Sequence, residues 1–69
     1  MYFVIELQTN GGSTAHLVTS HATREAAESK YHTVLAAAAV SSVEKHAAII
    51  VSEEGFPIMH QCYIHSTNS

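Results

Sequence analysis

The segment ATREAAESKYHTVLAAAAVSS, residues 22–42, predicts a single helix, and the rest of the fold is arranged around it. Residues 22–34 have a polar side and an apolar side, whereas the sequence LAAAAVSSV that follows has no polar side. A helix on the surface of a globular protein normally has an apolar stripe on one face and charge on the other. Because alanine surrounds the axis in the second half, we expect a second close-packed partner there, and in a chain this short we expect it to be another copy.

Helical spacing separates the two sides of this segment. The side expected to pack on a sheet contains Ala27, Tyr31, Val34 or Leu35, and Ala38. The opposite side is the first candidate interface, and it consists of His32, Ala36, Ala39 and Val40.

Four β-strands are predicted around the helix from period-two alternation and β-branched or aromatic residues. They are residues 1–9, 14–20, 45–52 and 58–65. The predicted fold class is α+β with the order β-β-α-β-β, a four-stranded, mainly antiparallel sheet with one helix packed on one face, in an oligomer. Residues 1–65 form the single domain, and residues 66–69 are expected to be a frayed C-terminal tail.

The first hairpin is predicted at Asn10-Gly11-Gly12, where two glycines can supply the positive φ angles of a tight turn. A three-residue loop places Val4 opposite Val18 and pairs like residues with like on each face, so we prefer it to a two-residue loop. In the second hairpin, a turn at Glu54-Gly55 places Ala47 opposite Cys62.

The helix can cover only one face of such a sheet, and the strand registers predict which residues remain uncovered. This second candidate interface, the open face of the sheet, is expected to carry Tyr2, Val4, Val18, Ala48, Ile50, Met59 and Tyr63. The same registers direct His60 and Cys62 toward the helix. An apolar patch of this size usually marks a contact surface.

Composition narrows the class of function. The 69-residue chain has a net charge of −3 and only three basic residues, Arg24, Lys30 and Lys45, too few to neutralise a nucleic-acid backbone. No apolar run reaches the roughly 18 residues that a membrane span needs. The start, MYFVIELQTN, lacks the features of a signal peptide. The cytoplasm is therefore the expected location, with neither nucleic acid nor membrane as a partner.

Six histidines and one cysteine could form a metal site or a catalytic site, but their spacing matches neither. No HxH or HExxH pattern occurs, and Cys62 has no diagnostic histidine partner. His16 and His46 could share the open face, but ordinary hydrogen-bonded histidines explain the composition without a metal. We therefore expect no cofactor, no metal and no enzymatic activity, because no nucleophile–base pair is visible.

The alternative hypothesis is that the start of the helix binds an anion. Arg24, His21 and Thr23 lie where unpaired backbone N–H groups attract anions. The competing interpretation is that Arg24 forms an ordinary ion pair with Glu28, four residues later.

The segment AAESKYHTVLAAAAVSSVEKHAAIIVSEEG, with YFVIELQ before it and CYIH after it, resembles a family of very small uncharacterised proteins of bacteriophages and mobile elements of gut bacteria. The resemblance spans nearly the whole chain and implies no activity or site residue. It implies a phage-type accessory role in the host cell, as a virion-associated protein or an inhibitor of a host pathway. We therefore expect a non-enzymatic homo-oligomer that binds a host or phage protein, or alternatively an oligomer that sequesters an anionic small molecule or signalling nucleotide.

Overall fold

A computed structural model describes residues 1–65 of the chain. The elements in order are β1 (Tyr2–Asn10), β2 (Ser13–His21), α1 (Arg24–Ala39), β3 (Lys45–Ser52) and β4 (Pro57–Ile64). This is the expected β-β-α-β-β order of an α+β domain. The frayed tail predicted for residues 66–69 lies outside the described residues.

The four strands form one open sheet in the order β2-β1-β3-β4, and all three pairings are antiparallel. The predicted register of β3 with β4 is confirmed, with Ala47 opposite Cys62 and Ile49 opposite His60. The pairing becomes irregular next to Ile50 and Val51, where one extra residue in β4 makes a β-bulge. Pro57 is the first residue of this edge strand, where its missing N–H removes no hydrogen bond that the sheet needs.

The register predicted for the first hairpin is wrong by one residue. Asn10 pairs with Ser13, so the loop contains only Gly11 and Gly12, with φ angles of 61° and 84°. Positive φ at both central residues is the geometry of the two-residue turn whose twist matches the flanking strands. Val4 therefore lies opposite Thr19 rather than Val18, and every side chain of β2 changes face relative to β1.

Helix α1 is shorter than the predicted 22–42 segment. It begins after Thr23, whose side-chain oxygen accepts a hydrogen bond from the Ala26 N–H at 3.2 Å, and Val40 caps its C-terminus. Near that end, the Ala38 carbonyl accepts from the Ser41 N–H at 3.2 Å and from Nε2 of His65 at 2.8 Å, so the last turn is bonded to the residue that follows β4. The predicted packing stripe is confirmed, because the buried helix residues are Ala27, Tyr31, Val34 and Ala38.

The face of the sheet that this stripe covers is the opposite of the one predicted. Val4, Ala48 and Ile50 form the core with Ala27, Tyr31 and Val34 of the helix, and Tyr2 and Met59 pack against it. Residues directly opposite in an antiparallel pair share a face, so Tyr63, opposite the buried His46, lies on the helix side as well. Of the residues predicted for the open face, only Val18 is there.

Strand order explains the reversal. Strands β2 and β3 are parallel to each other and separated by β1, so α1 is a crossover connection between them. Such connections are right-handed in nearly all proteins, which determines the face that the helix covers once the strand order is known. Hydrophobicity did not predict it, because the covered face of β1 includes Glu6 and Gln8 and the more apolar set of that strand is left open.

The N-cap provides a direct test of how α1 is held. Replacing Thr23 with Ala should lower the free energy of unfolding by about 1 kcal/mol, since the Ala26 N–H loses its partner. Thermal or urea denaturation at fixed protein concentration measures the effect. Thr33→Ala is the matched control: Thr33 bonds only back to the Ser29 carbonyl on an exposed turn, so its removal should cost nothing. Equal losses in the two variants would contradict the capping role.

Candidate interaction surfaces

The uncovered side of the sheet, called the open face below, is the largest candidate surface of the molecule. Its centre is formed by alternate residues of the two inner strands, and its edges by residues of β2 and β4. The central residues are Phe3, Ile5, Leu7, Ala47, Ile49 and Val51. The edge residues include His16, Val18 and Ser20 on β2, and His60, Cys62 and Ile64 on β4.

The open face is apolar in its middle, and its margin mixes polar with apolar side chains. Leu7 is 37%, Val18 50% and Ile64 69% exposed, which are high values for aliphatic side chains of a sheet. Lys45, in one corner, is the only lysine, arginine or carboxylate side chain on this face within the described residues. An apolar centre that is depleted of charged residues is the usual composition of the core of a protein–protein interface.

The face had no clear signal in the sequence. On β1 the open set is Phe3, Ile5 and Leu7, whereas the covered set includes Glu6 and Gln8. Apolarity alone therefore favours the wrong face as the core, and the strand order and the helix connection decide which set is covered.

The far side of α1 is the second candidate surface, called the helix flank below. Its predicted residues, His32, Ala36, Ala39 and Val40, are all exposed, and Val40 is 86% exposed. His32 packs edge-on against the ring of Tyr31 with 5.4 Å between centroids. The alanines leave a flat strip on which another surface could approach closely, although this strip is much smaller than the open face.

The predicted anion site consists of residues that already bond one another. Nε of Arg24 donates to Glu28 Oε2 at 2.9 Å. This is the ion pair that the competing interpretation predicted. The Thr23 side chain caps the helix, and Nε2 of His21 lies 3.0 Å from Thr19 Oγ1. Nothing in this geometry favours an anionic ligand over these internal partners.

The histidines are dispersed. His16 and His46 lie on opposite faces, and His60 and Cys62, which were expected to face the helix, are exposed on the open face because the covered face is reversed. Within residues 1–65, no group of three or more His, Cys, Asp or Glu side chains is placed to hold a metal ion. Across the same residues, no helix has both the length and the apolarity to cross a membrane.

One polar cluster lies on the face of the sheet that the helix covers. Sequence patterns did not predict it. Oε2 of Glu6 accepts hydrogen bonds from His46 Nε2 and, at 3.0 Å, from Gln8 Nε2. The His46 side chain is 5% and the Glu6 side chain 16% exposed. Nδ1 of His46 is buried without a hydrogen-bond partner among the described residues. The signal that could have revealed the cluster is the pair Glu6 and Gln8 on one face of β1, with His46 directly opposite Gln8.

The carboxyl of Glu6 is held in its ionised form. Burial by itself raises the pKa of Glu6, but the hydrogen bonds from His46 and Gln8 and the positive charges of His46 and Lys30 outweigh it, so the net pKa lies below its usual value. An ionised carboxylate can only accept, which places the shared proton on Nε2 of His46. The cluster therefore links β1 to β3 through a charged acceptor.

Comparisons of the chain with models of known protein families, with curated proteins and with solved structures found no match.

The Glu6 cluster predicts how stability depends on pH. Because the pKa of Glu6 is lower in the folded chain than in the unfolded chain, its contribution is present above about pH 4.5 and disappears as the pH falls through the folded value. Denaturation measured from pH 6 down to pH 3 should therefore show a loss of stability that Glu6→Gln makes shallower. Glu54→Gln is the control, since that exposed turn residue makes no side-chain hydrogen bond within the described chain. An unchanged slope in Glu6→Gln would show that the cluster contributes nothing.

Proposed function

We propose that this protein is a non-enzymatic, homo-oligomeric accessory protein that acts by binding another macromolecule. The observation that carries the proposal is the open face: a full sheet surface, apolar at its centre and almost free of charge, with no element of the described chain over it. The phage-type role, virion-associated or inhibiting a host pathway, rests on the family resemblance alone.

The area of the open face favours a second copy as its occupant. Four strands spaced about 4.8 Å apart, each with eight residues rising about 3.3 Å, make a surface of roughly 500 Å². Two copies packed face to face would bury roughly 1,000 Å², without counting the additional area of protruding side chains. This total reaches the lower limit for a specific interface. The lone corner charge of Lys45 causes little repulsion, and a two-fold axis would bring the apolar centres together.

In such a pair the helices would lie on the outside, and the helix flank would remain accessible. Each copy would then present the alanines and Val40 of its helix flank as a second surface, so the pair would have two such surfaces. We assign the partner macromolecule to this flank, since the open face is already occupied by the pair.

Mass in solution tests the proposal. At low micromolar concentration the wild-type chain should have about twice its mass of 7.4 kDa by light scattering or sedimentation. Leu7→Glu should reduce association roughly 30-fold or more, equivalent to about 2 kcal/mol, because it places a charge in the apolar centre. The side chain is exposed enough in one copy for the monomer to stay folded, which circular dichroism would check.

Val40→Glu is the matched control, since it introduces the same charge at a position with 86% exposure on the helix flank. It should leave the mass unchanged. A wild type that is monomeric at this concentration would refute the proposal, and dissociation by Val40→Glu but not by Leu7→Glu would move the self-contact to the helix flank.

A further inference from the structure

A cleft beside the first hairpin lies on the helix side of the sheet, at the β2 edge, where it meets the open face only at His16. Helix α1 starts next to the end of β2, and its C-terminal turn is bonded to His65 beyond the end of β4, so it crosses the sheet obliquely. This path leaves the hairpin end of β1 and β2 uncovered on the helix side. A cleft of about 120 Å³ lies there, lined by Glu6, Gln8, Ala15, His16 and Leu17.

Two side-chain oxygens of this lining, from Glu6 and Gln8, are acceptors without a side-chain donor. Both hydrogen bonds to the Glu6 carboxylate end on Oε2, and none within residues 1–65 reaches Oε1. Gln8 uses its amide nitrogen to bond Glu6, so its carbonyl oxygen is also without a side-chain partner in that range. Oε1 of Glu6 is not among the buried atoms of the described chain that have no partner, so solvent can reach it. A cationic donor is the group that would bond this uncommitted oxygen most strongly.

The size and walls of the cleft restrict the cation. At about 30 Å³ per water-sized group, the volume holds roughly four heavy atoms. The side chains of Ala15 and Leu17 form apolar walls, and Leu17 is 55% exposed, so a short hydrocarbon stem would cover it.

The bonding pattern of Glu6 discriminates between the two common cations. A guanidinium binds a carboxylate best with two parallel bonds, one to each oxygen, and Oε2 already has two donors. An ammonium has three donors around one atom and can bond Glu6 Oε1 and the Gln8 carbonyl together.

We propose that this cleft binds a primary ammonium group on an aliphatic stem, the chemistry shared by a lysine side chain and a small alkyl amine. The site does not depend on self-association through the open face. Lys30, on the helix, already contributes positive charge near Glu6 but forms no ion pair with it among the described contacts. It is therefore the chain's own competitor for the cleft.

Nuclear magnetic resonance titration of the labelled full chain provides the test. n-Butylammonium and lysine blocked at both backbone ends should each produce saturable shifts at the Gln8 side-chain amide and the Leu17 methyls, with millimolar dissociation constants. The Nε-acetylated lysine, which has no charge, should give none. Tighter binding of the blocked lysine than of butylammonium assigns the cleft to a polypeptide ligand, and equal binding assigns it to alkyl amines in general.

Two variants locate the site. Glu6→Gln should weaken binding by about tenfold or more through loss of the charged acceptor. Because Glu6 also bonds His46, Ala15→Leu provides a second route that fills the cleft and leaves the carboxylate intact. Ala26→Leu, the same change at an exposed helix position, is its control and should bind as the wild type does.

The Lys30→Met variant tests whether the cleft binds an added amine or the ammonium group of Lys30 itself. Removal of the competing charge should tighten butylammonium binding only modestly if the cleft is open to ligands in the wild type. Saturable binding that occurs only in Lys30→Met would assign the cleft to Lys30 itself and overturn the proposal. The absence of saturable shifts in the wild type would also overturn it. So would wild-type affinity in both Glu6→Gln and Ala15→Leu.

Discussion

The structure depends on one constraint: a single helix of 16 residues must provide the core for a four-stranded sheet that has large apolar side chains on both faces. One helix covers one face. The core that results is small: among the described residues, Ile50 and Val4 are the largest side chains that are completely buried. The other apolar set has no cover within the described chain. Both the limited stability expected of so short a chain and the surface that we propose for self-association follow from this imbalance.

The parts of the fold that sequence predicted were those controlled by local chemistry. Helical spacing identified Ala27, Tyr31, Val34 and Ala38 as the packing stripe, because the i, i+4 rule does not depend on the partner. The second hairpin was predicted correctly since Glu54-Gly55 left one turn consistent with the flanking strands. The first was not, because Asn10-Gly11-Gly12 permits loops of two or three residues and both give plausible pairs. A single-residue choice there reversed the faces of β2.

The face covered by the helix required information that periodicity does not contain. It depends on β1 lying between β2 and β3 and on the handedness of the crossover, which are properties of the whole chain. The Glu6 cluster was missed for a related reason. Its members belong to β1 and β3, separated by 40 residues, so no spacing motif relates them. The cleft beside it also results from the oblique path of the helix rather than from any residue in its lining.

The two edges of the sheet differ in a way that affects how it could be extended. Strand β4 begins at Pro57 and contains a bulge, two devices that stop another strand from adding alongside it. Strand β2 has neither: it is nine residues long, regular and without a proline, and it has no lysine, arginine or carboxylate. Strand addition is therefore confined to one side. If two copies joined through β2, the resulting sheet would have a protected β4 at both ends, so this edge permits a closed pair and opposes growth into a fibre.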